Sequence, residues 1–529
     1  MTGVVVDPEL DPSATYAVDP ARVRRLAADV VASPGAEHHV SHSPMTGAPV
    51  ASLPVSSAED VAVAISTARA AQRAWAATDV ERRAAVLMRF HDLVLERQVE
   101  LLDLIQLESG KSRAHAFEEI ADCAIAARHY GRRAADYLAD LRVPGVIPVL
   151  SQAVESRRPK GVVGVVSPWN YPLSLAITDA MPALVAGNAV VLRPDQQTSL
   201  TALAGVELLR EAGLPDGVLQ VVLGPGASTG QAVVDRADYI CYTGSTPTGR
   251  RVGQSAAERL VGFSLELGGK NSLYVADDAD LDRAVAGAVR ASFASAGQLC
   301  ISAERILVHR DVKDEFVTRF VDAVEQLRLG TSLTYDYDIG SLVGQRQLDT
   351  VTAHVEDARS KGAVVLTGGR ARPDVGPFVY EPTVLTGVTE AMVCRNDETF
   401  GPVVSIYEVG SDDEAVAFAN DTEYGLNASV WTRDVARGRR VAARIRTGTV
   451  NINEAYAAAW GSMGASMGGM KASGIGRRHG REGILKYTES QNITAQRLVP
   501  IGEMPGLSAQ RYAQVMTLAL KGMRRLGFR

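Results

Sequence analysis

Short apolar runs alternate with helix-length segments from residue 161 onward. The runs cover residues 162–167, 189–192, 219–223 and 239–242. Strands of this length, separated by helical segments, are typical of a parallel sheet with helices on both faces. The pattern therefore predicts a doubly wound α/β domain. The residues after about 267 repeat the alternation, so a second α/β domain is expected to follow the first.

Helical periodicity dominates before residue 140. Core packing is the expected role of one apolar stripe at helical spacing. Its residues are Val86, Phe90, Leu93, Val94, Leu101, Leu104 and Ile105. Asp19 and Pro20 are placed as the cap and the first residue of a helix that extends to residue 32. Residues 508–529 predict a basic amphipathic helix, for which docking on a neighbour is favoured over membrane contact.

The chain of 529 residues is longer than a single hydrophobic core ordinarily supports, so two domains of about 200 residues each are expected. Hydrophobic residues at 46% and charged residues at 22% are usual for a soluble globular protein. The net charge of −6 gives no electrostatic reason to bind nucleic acid. No run approaches the roughly 18 apolar residues of a membrane span, and residues 1–10 lack the basic region of a secretory signal. We expect a cytoplasmic protein without stable membrane association.

The four cysteines lie far apart in the sequence and have no metal-ligand spacing, so no metal site is expected and a reducing compartment is the simplest one. They are Cys123, Cys241, Cys300 and Cys394. Three histidines near the N-terminus, His38, His39 and His42, could suggest a metal tract. Without supporting cysteines, a flexible surface segment is the favoured interpretation.

One thiol stands out because Cys300 follows a run of small residues, Ala-Ser-Ala-Gly, at 294–297. Small neighbours leave room for a substrate, although a free cysteine by itself is more often a small buried apolar residue. Glu266 ends an apolar run and enters a glycine turn, where catalytic groups are often presented, although a solvated turn carboxylate is the plainer alternative. Asn170 lies between two prolines after a predicted strand, where its amide could donate to an oxyanion or simply form a turn.

Four motifs together, in order, resemble the aldehyde dehydrogenase superfamily over residues of about 45 to 497. They are Pro-Trp-Asn-Tyr-Pro at 168–172, Glu-Leu-Gly-Gly-Lys at 266–270, Gly-Gln-Leu-Cys at 297–300 and Glu-Thr-Phe-Gly-Pro at 398–402. The resemblance implies that Cys300 is the nucleophile, Glu266 the general base and Asn170 the oxyanion donor. It also implies hydrolysis of a thioester to a free acid, because relatives that transfer the acyl group to coenzyme A generally lack the base.

The same resemblance implies a Rossmann-type cofactor domain, an α/β catalytic domain and a small projecting β arm for oligomerisation. We expect an N-terminal extension over 1–42, the cofactor domain over 43–141 and 159–267, and the catalytic domain over 268–480. The arm is expected over 142–158 and 484–500, followed by a helical tail over 501–529. A projecting ribbon cannot bury a face by itself, so a homodimer or homotetramer is implied.

Glycine-rich turns after two predicted strands could approach a phosphate, although each is also an ordinary strand-to-helix turn. The resemblance favours cofactor contacts at these turns and elsewhere. The expected cofactor residues are Ser167, Pro168, Trp169, Arg193, Gln196, Gly226, Gly230, Gly244, Ser245, Leu267, Glu398 and Phe400. Where many relatives have Lys-Pro-Ser-Glu, residues 193–196 read Arg-Pro-Asp-Gln, and loss of the Glu removes a charge that repels a 2′-phosphate. NADP is therefore the preferred cofactor, with NAD as the other.

A second departure from the family concerns a charge pair proposed to relay protons. Some relatives have Lys and Glu where this chain has Asp179 and Arg478, so both signs are reversed. A reversed pair keeps the attraction but changes which group accepts a proton. Residues 477–479 could instead form a solvated basic turn.

The overall pattern looks most like bacterial succinate-semialdehyde dehydrogenases of an actinobacterial type. Better-known enzymes of that activity hold the substrate carboxylate with arginines where this chain has Thr178 and Ala294. The substrate residues implied by the resemblance are Tyr171, Ser302, Tyr456, Trp460 and Met467. Their aromatic and apolar character leaves open a broad-specificity enzyme for aliphatic or aromatic aldehydes, and a catalytically silent binding protein on this fold is the alternative from another class.

Overall fold

The computed structural model describes residues 18–144, 151–496, 502, 506–525 and 527. The chain divides into two compact units, one formed by the residues up to Tyr137 together with Pro159–Tyr487, and one formed by Leu138–Arg158 with Thr488–Arg529. The expected cofactor and catalytic domains both lie in the first unit, and the expected arm and tail lie mostly in the second.

The helices of the described residues are α1 (Pro20–Ala27), α2 (Ala58–Ala76), α3 (Val80–Glu96), α4 (Gln98–Ser109), α5 (Arg113–Leu138), α6 (Pro172–Val185), α7 (Ser199–Glu211), α8 (Gln231–Val234), α9 (Thr246–Glu258), α10 (Leu281–Phe293), α11 (Lys313–Glu325), α12 (Gln345–Ser360), α13 (Val393–Asn396), α14 (Asp412–Asn420), α15 (Val435–Ala442), α16 (Ala457–Gly461), α17 (Gly480–Leu485) and α18 (Ala509–Arg525).

The strands are β1 (His38–His42), β2 (Pro49–Pro54), β3 (Leu141–Pro144), β4 (Ser151–Pro159), β5 (Val162–Val166), β6 (Ala189–Arg193), β7 (Leu219–Val221), β8 (Tyr239–Thr243), β9 (Gly262–Glu266), β10 (Asn271–Val275), β11 (Ala303–His309), β12 (Val364–Thr367), β13 (Thr383–Thr386), β14 (Val403–Val409), β15 (Asn427–Trp431), β16 (Thr449–Ile452), β17 (Gly474–Ile475) and β18 (Thr488–Gln496).

The first sheet has the order β17-β9-β8-β5-β6-β7 and is parallel except for β17. The four apolar runs predicted as strands are β5, β6, β7 and β8 of this sheet. Strands β5 and β6 are buried along their whole length, because α2 and α6 pack against them. The prediction of a doubly wound α/β fold is confirmed.

The second sheet has the order β12-β13-β14-β11-β10-β15-β16, with β12 alone antiparallel. A link of four residues, 267–270, joins the end of β9 in the first sheet to the start of β10 in the second. The carboxyl end of β9 is therefore covalently tied to the amino end of β10. Functional groups at the carboxyl edge of one sheet and the amino edge of the other come close through this link.

The N-terminal residues that the structure describes, from residue 18 onward, belong to the first unit, and the bounds of the expected extension over 1–42 stay a prediction. Asp19 caps α1 as predicted, accepting a hydrogen bond from the Ala21 N–H at 2.8 Å, but the helix ends at Ala27 rather than at residue 32. Val23 and Leu26 are fully buried against the unit. The histidines 38–42 lie in β1, paired with β2, and not in a flexible segment.

The second unit contains a three-stranded sheet of order β18-β4-β3. This sheet confirms the predicted ribbon and its completion by a late strand. Helix α18 confirms the amphipathic helix predicted near the C-terminus. Residues 1–17, 145–150, 497–501, 503–505, 526 and 528–529, on which parts of the expected extension, arm and tail fall, lie outside the described residues. No helix in the described ranges has the length and apolar character needed to span a bilayer.

Candidate active site

Cys300 lies on an irregular segment between α10 and β11, at the amino edge of the second sheet. Ser295 and Ala296 have positive φ angles of 51° and 55°, an unusual conformation for residues with a Cβ. Gly297 follows with φ 71°, and a Cβ at this position would overlap the backbone of Gly401. The small residues before the thiol are thus needed to turn the chain sharply, which presents Cys300 at the end of the turn.

Two asparagines fix the backbone around the thiol. The Asn271 side-chain amide donates to the carbonyls of Cys300 and Ser302, both at 2.8 Å. The Asn170 amide donates one hydrogen bond to the Gln298 carbonyl at 3.1 Å. A side-chain amide carries two N–H groups, so Asn170 keeps a second donor beside the segment that bears Cys300.

Glu266 is the last residue of β9 and is 7% exposed. Burial raises the pKa of its carboxyl to about 7, while the positive charges of Arg478 and Lys486 oppose the rise. Its Oε1 atom is buried without a hydrogen-bond partner among the residues that the structure describes. A carboxyl with a pKa near neutrality can both accept and release a proton at physiological pH, as a general base requires.

Cys300 remains partly exposed, whereas the other three cysteines are buried. Desolvation raises the pKa of its thiol to about 12, and the nearby carboxylates of Glu398 and Glu266 add to the rise. The protein alone therefore holds a protonated thiol. A base or a nearby positive charge must assist its ionisation before it can act as a nucleophile.

The predicted reversed charge pair forms. Arg478 Nε lies 3.0 Å from Asp179 Oδ1, and its guanidinium also donates to the Thr178 hydroxyl at 2.8 Å. Although burial opposes it, Asp179 holds the pKa of Arg478 above its usual value. The solvated basic turn, the alternative interpretation of this segment, is therefore wrong. Arg478 is a fixed cation in the electrostatic environment of Glu266.

Most of the predicted substrate residues share one apolar cluster with Cys300. Tyr171, Tyr456 and Met467 are buried in this cluster, and Trp460 packs against it. The hydroxyls of Tyr171 and Tyr456 both donate to the carboxylate of Glu118, at 3.2 and 2.7 Å. Tyr171 and Tyr456 thus form an aromatic wall with one carboxylate behind it, and the Tyr171 hydroxyl lies 3.0 Å from the Ser295 hydroxyl, on the segment that leads to Cys300.

Ser302 has a different environment from the other predicted substrate residues. Its hydroxyl donates to the carbonyls of Ala291 and Ser292, at 3.0 and 3.2 Å, at the end of α10. The single hydroxyl hydrogen is used in this contact, so Ser302 serves to cap the helix.

The predicted phosphate turns lie at the carboxyl edge of the first sheet. Ser245 immediately precedes α9, whose first N–H groups are available to an anion. Gly226 lies in an open turn, where nothing would contact an added Cβ within 4 Å, and Gly230 ends the same turn. A Cβ on Gly244 would overlap the Tyr242 ring. A helix N-terminus and an exposed turn at Gly226 fit the pyrophosphate of a dinucleotide.

Arg193 is the last residue of β6, and its side chain contacts the segment that leads into the turn at 226–230. Its guanidinium donates two hydrogen bonds to the Gly224 carbonyl, at 3.0 and 2.6 Å. Asp195 accepts from the Gln197 N–H at 3.1 Å, and its other oxygen lies 3.8 Å from Arg193 Nη1. Gln196 begins a short helical turn at the edge of the sheet and is half-buried.

The remaining predicted cofactor residues border the link between the sheets. Ser167, Pro168 and Trp169 follow β5, and the Leu267 N–H donates to the Ser473 carbonyl at 2.9 Å. The rings of Trp169 and Phe400 meet edge to face with centroids 5.5 Å apart. These rings provide an apolar surface of the kind that a nicotinamide ring would contact.

Glu398 accepts a hydrogen bond from the Gly269 N–H at 2.8 Å, which places its carboxylate at the link. Burial raises its pKa to about 8, and the neighbouring Glu304 adds to the rise.

Two buried Lys–Glu pairs support these segments, and sequence reasoning did not assign them a role. Glu304 pairs with Lys270 and accepts from the N–H groups of Thr399 and Phe400, each at 3.0 Å. Lys111 pairs with Glu119 at 2.7 Å and contacts the segment that carries Asn170. Lys270 lies within the motif at 266–270 and Glu304 follows Cys300 closely, so both could have been suspected, whereas nothing in the sequence links Lys111 to Asn170. In the ranges that the structure covers, no group of three or more His, Cys, Asp or Glu residues is arranged to hold a metal ion.

A sequence model described as "Aldehyde dehydrogenase family" matches residues 31–493. A protein of Mycolicibacterium smegmatis named "Putative succinate-semialdehyde dehydrogenase (NADP+)" is 52% identical over 481 residues, which cover 91% of this chain and 93% of that protein.

Solved structures resemble the fold closely. A crystal structure of an aldehyde dehydrogenase from Brucella melitensis biovar abortus has a TM-score of 0.84 and 34% identity, and covers 89% of this chain and 96% of its own. A betaine aldehyde dehydrogenase from Staphylococcus aureus in complex with NAD+ has a TM-score of 0.84 and 30% identity, and covers 89% and 94%.

Proposed function

We propose that this chain, which belongs to the aldehyde dehydrogenase family, oxidises succinate semialdehyde to succinate with NADP or NAD. The observation that carries the proposal is the grouping of a partly exposed thiol, a buried carboxyl with a pKa of about 7 and a side-chain amide around the link between the two sheets. The relative that is 52% identical over nearly its whole length is named for this activity and for NADP.

The proposed reaction uses the chain's own groups in sequence. Glu266 takes the proton of the Cys300 thiol and releases it to solvent, and the Cys300 sulfur adds to the aldehyde carbon. The second N–H of Asn170 stabilises the negative charge that develops on oxygen. A nicotinamide cofactor held at the first sheet would supply the hydride acceptor, and the acyl group would then remain on the Cys300 sulfur as a thioester. Glu266 then takes a proton from water as the water attacks this thioester, and the acid departs as the Cys300 sulfur is released.

The residues suited to hold the cofactor are those at the carboxyl edge of the first sheet. The α9 N-terminus after Ser245 and the open turn at Gly226 suit the pyrophosphate, and the Glu398 carboxylate suits the nicotinamide ribose. For the 2′-phosphate, Arg193 supplies a cation and Gln196 leaves out the repelling charge. Asp195 reduces the attraction because it lies 3.8 Å from the Arg193 guanidinium. We therefore propose NADP as the preferred cofactor and NAD as a usable one.

The substrate carboxylate needs a cation, and neither Thr178 nor Ala294 supplies one. We assign this role to Arg290, which lies one helical turn before Ala294 on α10. Its guanidinium carbon lies 5.0 Å from the centroid of the Tyr456 ring, in contact with the apolar cluster around the thiol. The side chain is 42% exposed, so its remaining donors can reach a ligand.

A second candidate function, oxidation of neutral aliphatic or aromatic aldehydes, is favoured by the carboxylates around Arg290. Arg290 lies 3.2 Å from a Glu118 oxygen and 3.5 Å from a Glu454 oxygen. Two carboxylates beside one guanidinium leave a net negative charge, which repels an anionic substrate. The aromatic wall formed by Tyr171 and Tyr456 would suit a neutral substrate.

The two functions are separated by kcat/KM for succinate semialdehyde, hexanal and benzaldehyde, each with both cofactors. Succinate semialdehyde should exceed the neutral aldehydes by at least tenfold, and Arg290→Ala should remove that advantage through KM. The exposed Arg283, on the same helix, provides the control, and Arg283→Ala should leave all three rates unchanged. Equal rates for the neutral aldehydes and succinate semialdehyde would support the second function, and no cofactor reduction with any aldehyde would support a silent binding protein.

We also propose that the protein is a cytoplasmic homodimer or homotetramer. Strand β18 is exposed from residue 489 onward and stands at the edge of its three-stranded sheet, and an exposed edge is commonly covered by a second chain. The four cysteines are free, which suits a reducing compartment. Sedimentation equilibrium gives the oligomeric state directly, and a monomer at micromolar concentration would refute this part.

A further inference from the structure

The segment that carries Asn170 is held by a buried ion pair from another part of the chain. Lys111, just before α5, and Glu119, within α5, lie 2.7 Å apart, and their side chains are 2% and 0% exposed. No solvent reaches either charge, so their partners must all come from the protein.

Both members of the pair bind the main chain of residues 170–174. Lys111 Nζ donates to the Asn170 carbonyl at 2.6 Å and lies 3.6 Å from the centroid of the Tyr171 ring. Glu119 Oε2 accepts from the N–H groups of Leu173 and Ser174, at 2.8 and 3.0 Å.

These contacts satisfy the start of α6 in an unusual way. The first N–H groups of a helix have no intrahelical acceptor, and Tyr171 at the cap makes no side-chain cap hydrogen bond. Glu119 supplies the missing acceptor from α5, and Lys111 neutralises that carboxylate while it holds the carbonyl of Asn170. The pair therefore holds the Asn170 carbonyl and the first turn of α6 together.

Holding the Asn170 carbonyl also restrains the direction of the Asn170 side chain. One N–H of its amide is already bound to the Gln298 carbonyl at 3.1 Å, so the backbone and the Gln298 contact together determine where the second N–H points. An oxyanion donor is effective only when its direction is set before the reaction begins.

We propose that Lys111 and Glu119 are positioning residues that orient Asn170 toward the developing oxyanion. This inference rests on the proposed function, in which Asn170 is the oxyanion donor. Neither residue touches the substrate, and each acts through the backbone of 170–174.

The test is a double-mutant cycle between the pair and Asn170, measured as kcat with the fastest aldehyde among succinate semialdehyde, hexanal and benzaldehyde. The paired variant Lys111→Met with Glu119→Gln removes both charges together and so leaves no unpaired buried charge. We expect it to lower kcat about 10- to 100-fold, since a small misplacement of a reacting group has effects of this order. The KM for the cofactor should stay within about twofold of the wild type.

In an Asn170→Ala background the same pair of substitutions should lower kcat less than about twofold further, because the group it orients is gone. The thermal unfolding midpoint should fall equally in both backgrounds, which separates positioning from general stability. The matched control is Lys270→Met with Glu304→Gln, a buried pair that binds residues 399–400 instead. The fold-loss of kcat caused by this control pair should be the same in the wild type and in Asn170→Ala, because the two sites act independently.

A pair effect that multiplies fully with Asn170→Ala, or a paired variant with wild-type kcat, would overturn the inference while the proposed function stands. Wild-type kcat in Asn170→Ala itself would overturn the role of Asn170 and the inference with it. If the paired variant does not fold, Lys111→Arg alone, which keeps both charges of the pair but changes the donor that reaches the Asn170 carbonyl, serves the same cycle. It should show a smaller loss of kcat that also disappears in the Asn170→Ala background.

Discussion

Replacing Glu266 with glutamine should stabilise the folded protein at alkaline pH while it removes the base. Burial raises the pKa of this carboxyl from 4.5 to about 7. The folded state therefore holds the proton more tightly than the unfolded state, and the folded protein loses stability as pH rises from about 4.5 to about 7. This difference between the folded and unfolded pKa lowers the free energy of unfolding by about 3 kcal/mol above pH 7. Glutamine does not ionise, so Glu266→Gln avoids this cost.

The corresponding change in the thermal midpoint is small but measurable. An unfolding entropy of about 2.1 cal/mol/K per residue gives the whole chain roughly 1.1 kcal/mol/K, so about 3 kcal/mol becomes about 3 °C. Calorimetry of the protein without cofactor at pH 5 and pH 8 should show most of this gain at pH 8 alone. Because Glu266 Oε1 has no partner among the described residues, an unsatisfied amide would reduce the gain equally at both pH values.

The decisive quantity is the change in thermal midpoint at pH 8 minus the change at pH 5. The control is a glutamate whose pKa is shifted in the opposite direction. Glu408 is exposed, and its hydrogen bond from Lys313 lowers its pKa, so Glu408→Gln should give no gain at pH 8. A Glu266→Gln shift in the thermal midpoint that is the same at pH 5 and pH 8 would show that the carboxyl has an ordinary pKa and would refute the reasoning.

The other predictions concern the thiol and the cofactor. Cys300→Ala should abolish aldehyde oxidation and leave cofactor binding nearly intact by titration calorimetry, and residual turnover above about one part in a thousand would contradict its role as nucleophile. Peroxide should inactivate the protein by oxidising Cys300 itself or by forming a mixed disulfide, because the other three cysteines are buried, and an intramolecular bridge from Cys300 in the mass spectrum would be evidence against this. Gln196→Glu should reduce kcat/KM for NADP relative to NAD by about 1 to 3 kcal/mol, whereas equal losses would show that Gln196 does not face the 2′ position.

Periodicity and local order predicted much of the framework. The four apolar runs of the first sheet could be read as strands because each is buried on both faces and carries few polar residues. The ends of helices were harder to predict from the sequence. Helix α1 ends at Ala27 because the following residues form a turn, after which Val30 makes a β-bridge with Val221. A sequence pattern for helix continuation does not contain that long-range contact.

The candidate site could be predicted only where its residues carry local motifs. The reversal of both charges made the Asp179–Arg478 pair a reasonable expectation across 299 residues, and the pair forms. The contacts of Lys111 and Glu118 could not be anticipated, since their partners lie on segments far along the chain. Their roles depend on the fold that brings α5 beside residues 170–174.

Backbone contacts distinguish the buried pairs at the site from the many surface pairs of this protein. The exposed pair Arg319–Glu315 links two side chains on one helix and contributes little, because solvent screens it. Burying Lys111 and Glu119 costs desolvation free energy that their mutual attraction does not reliably offset. Each charge also binds the main chain of residues 170–174, so removing the pair releases a segment of the site as well as an attraction. The loss of kcat on removing a buried ion pair should therefore depend on which backbone groups the pair binds, and not on the strength of the attraction between its two charges.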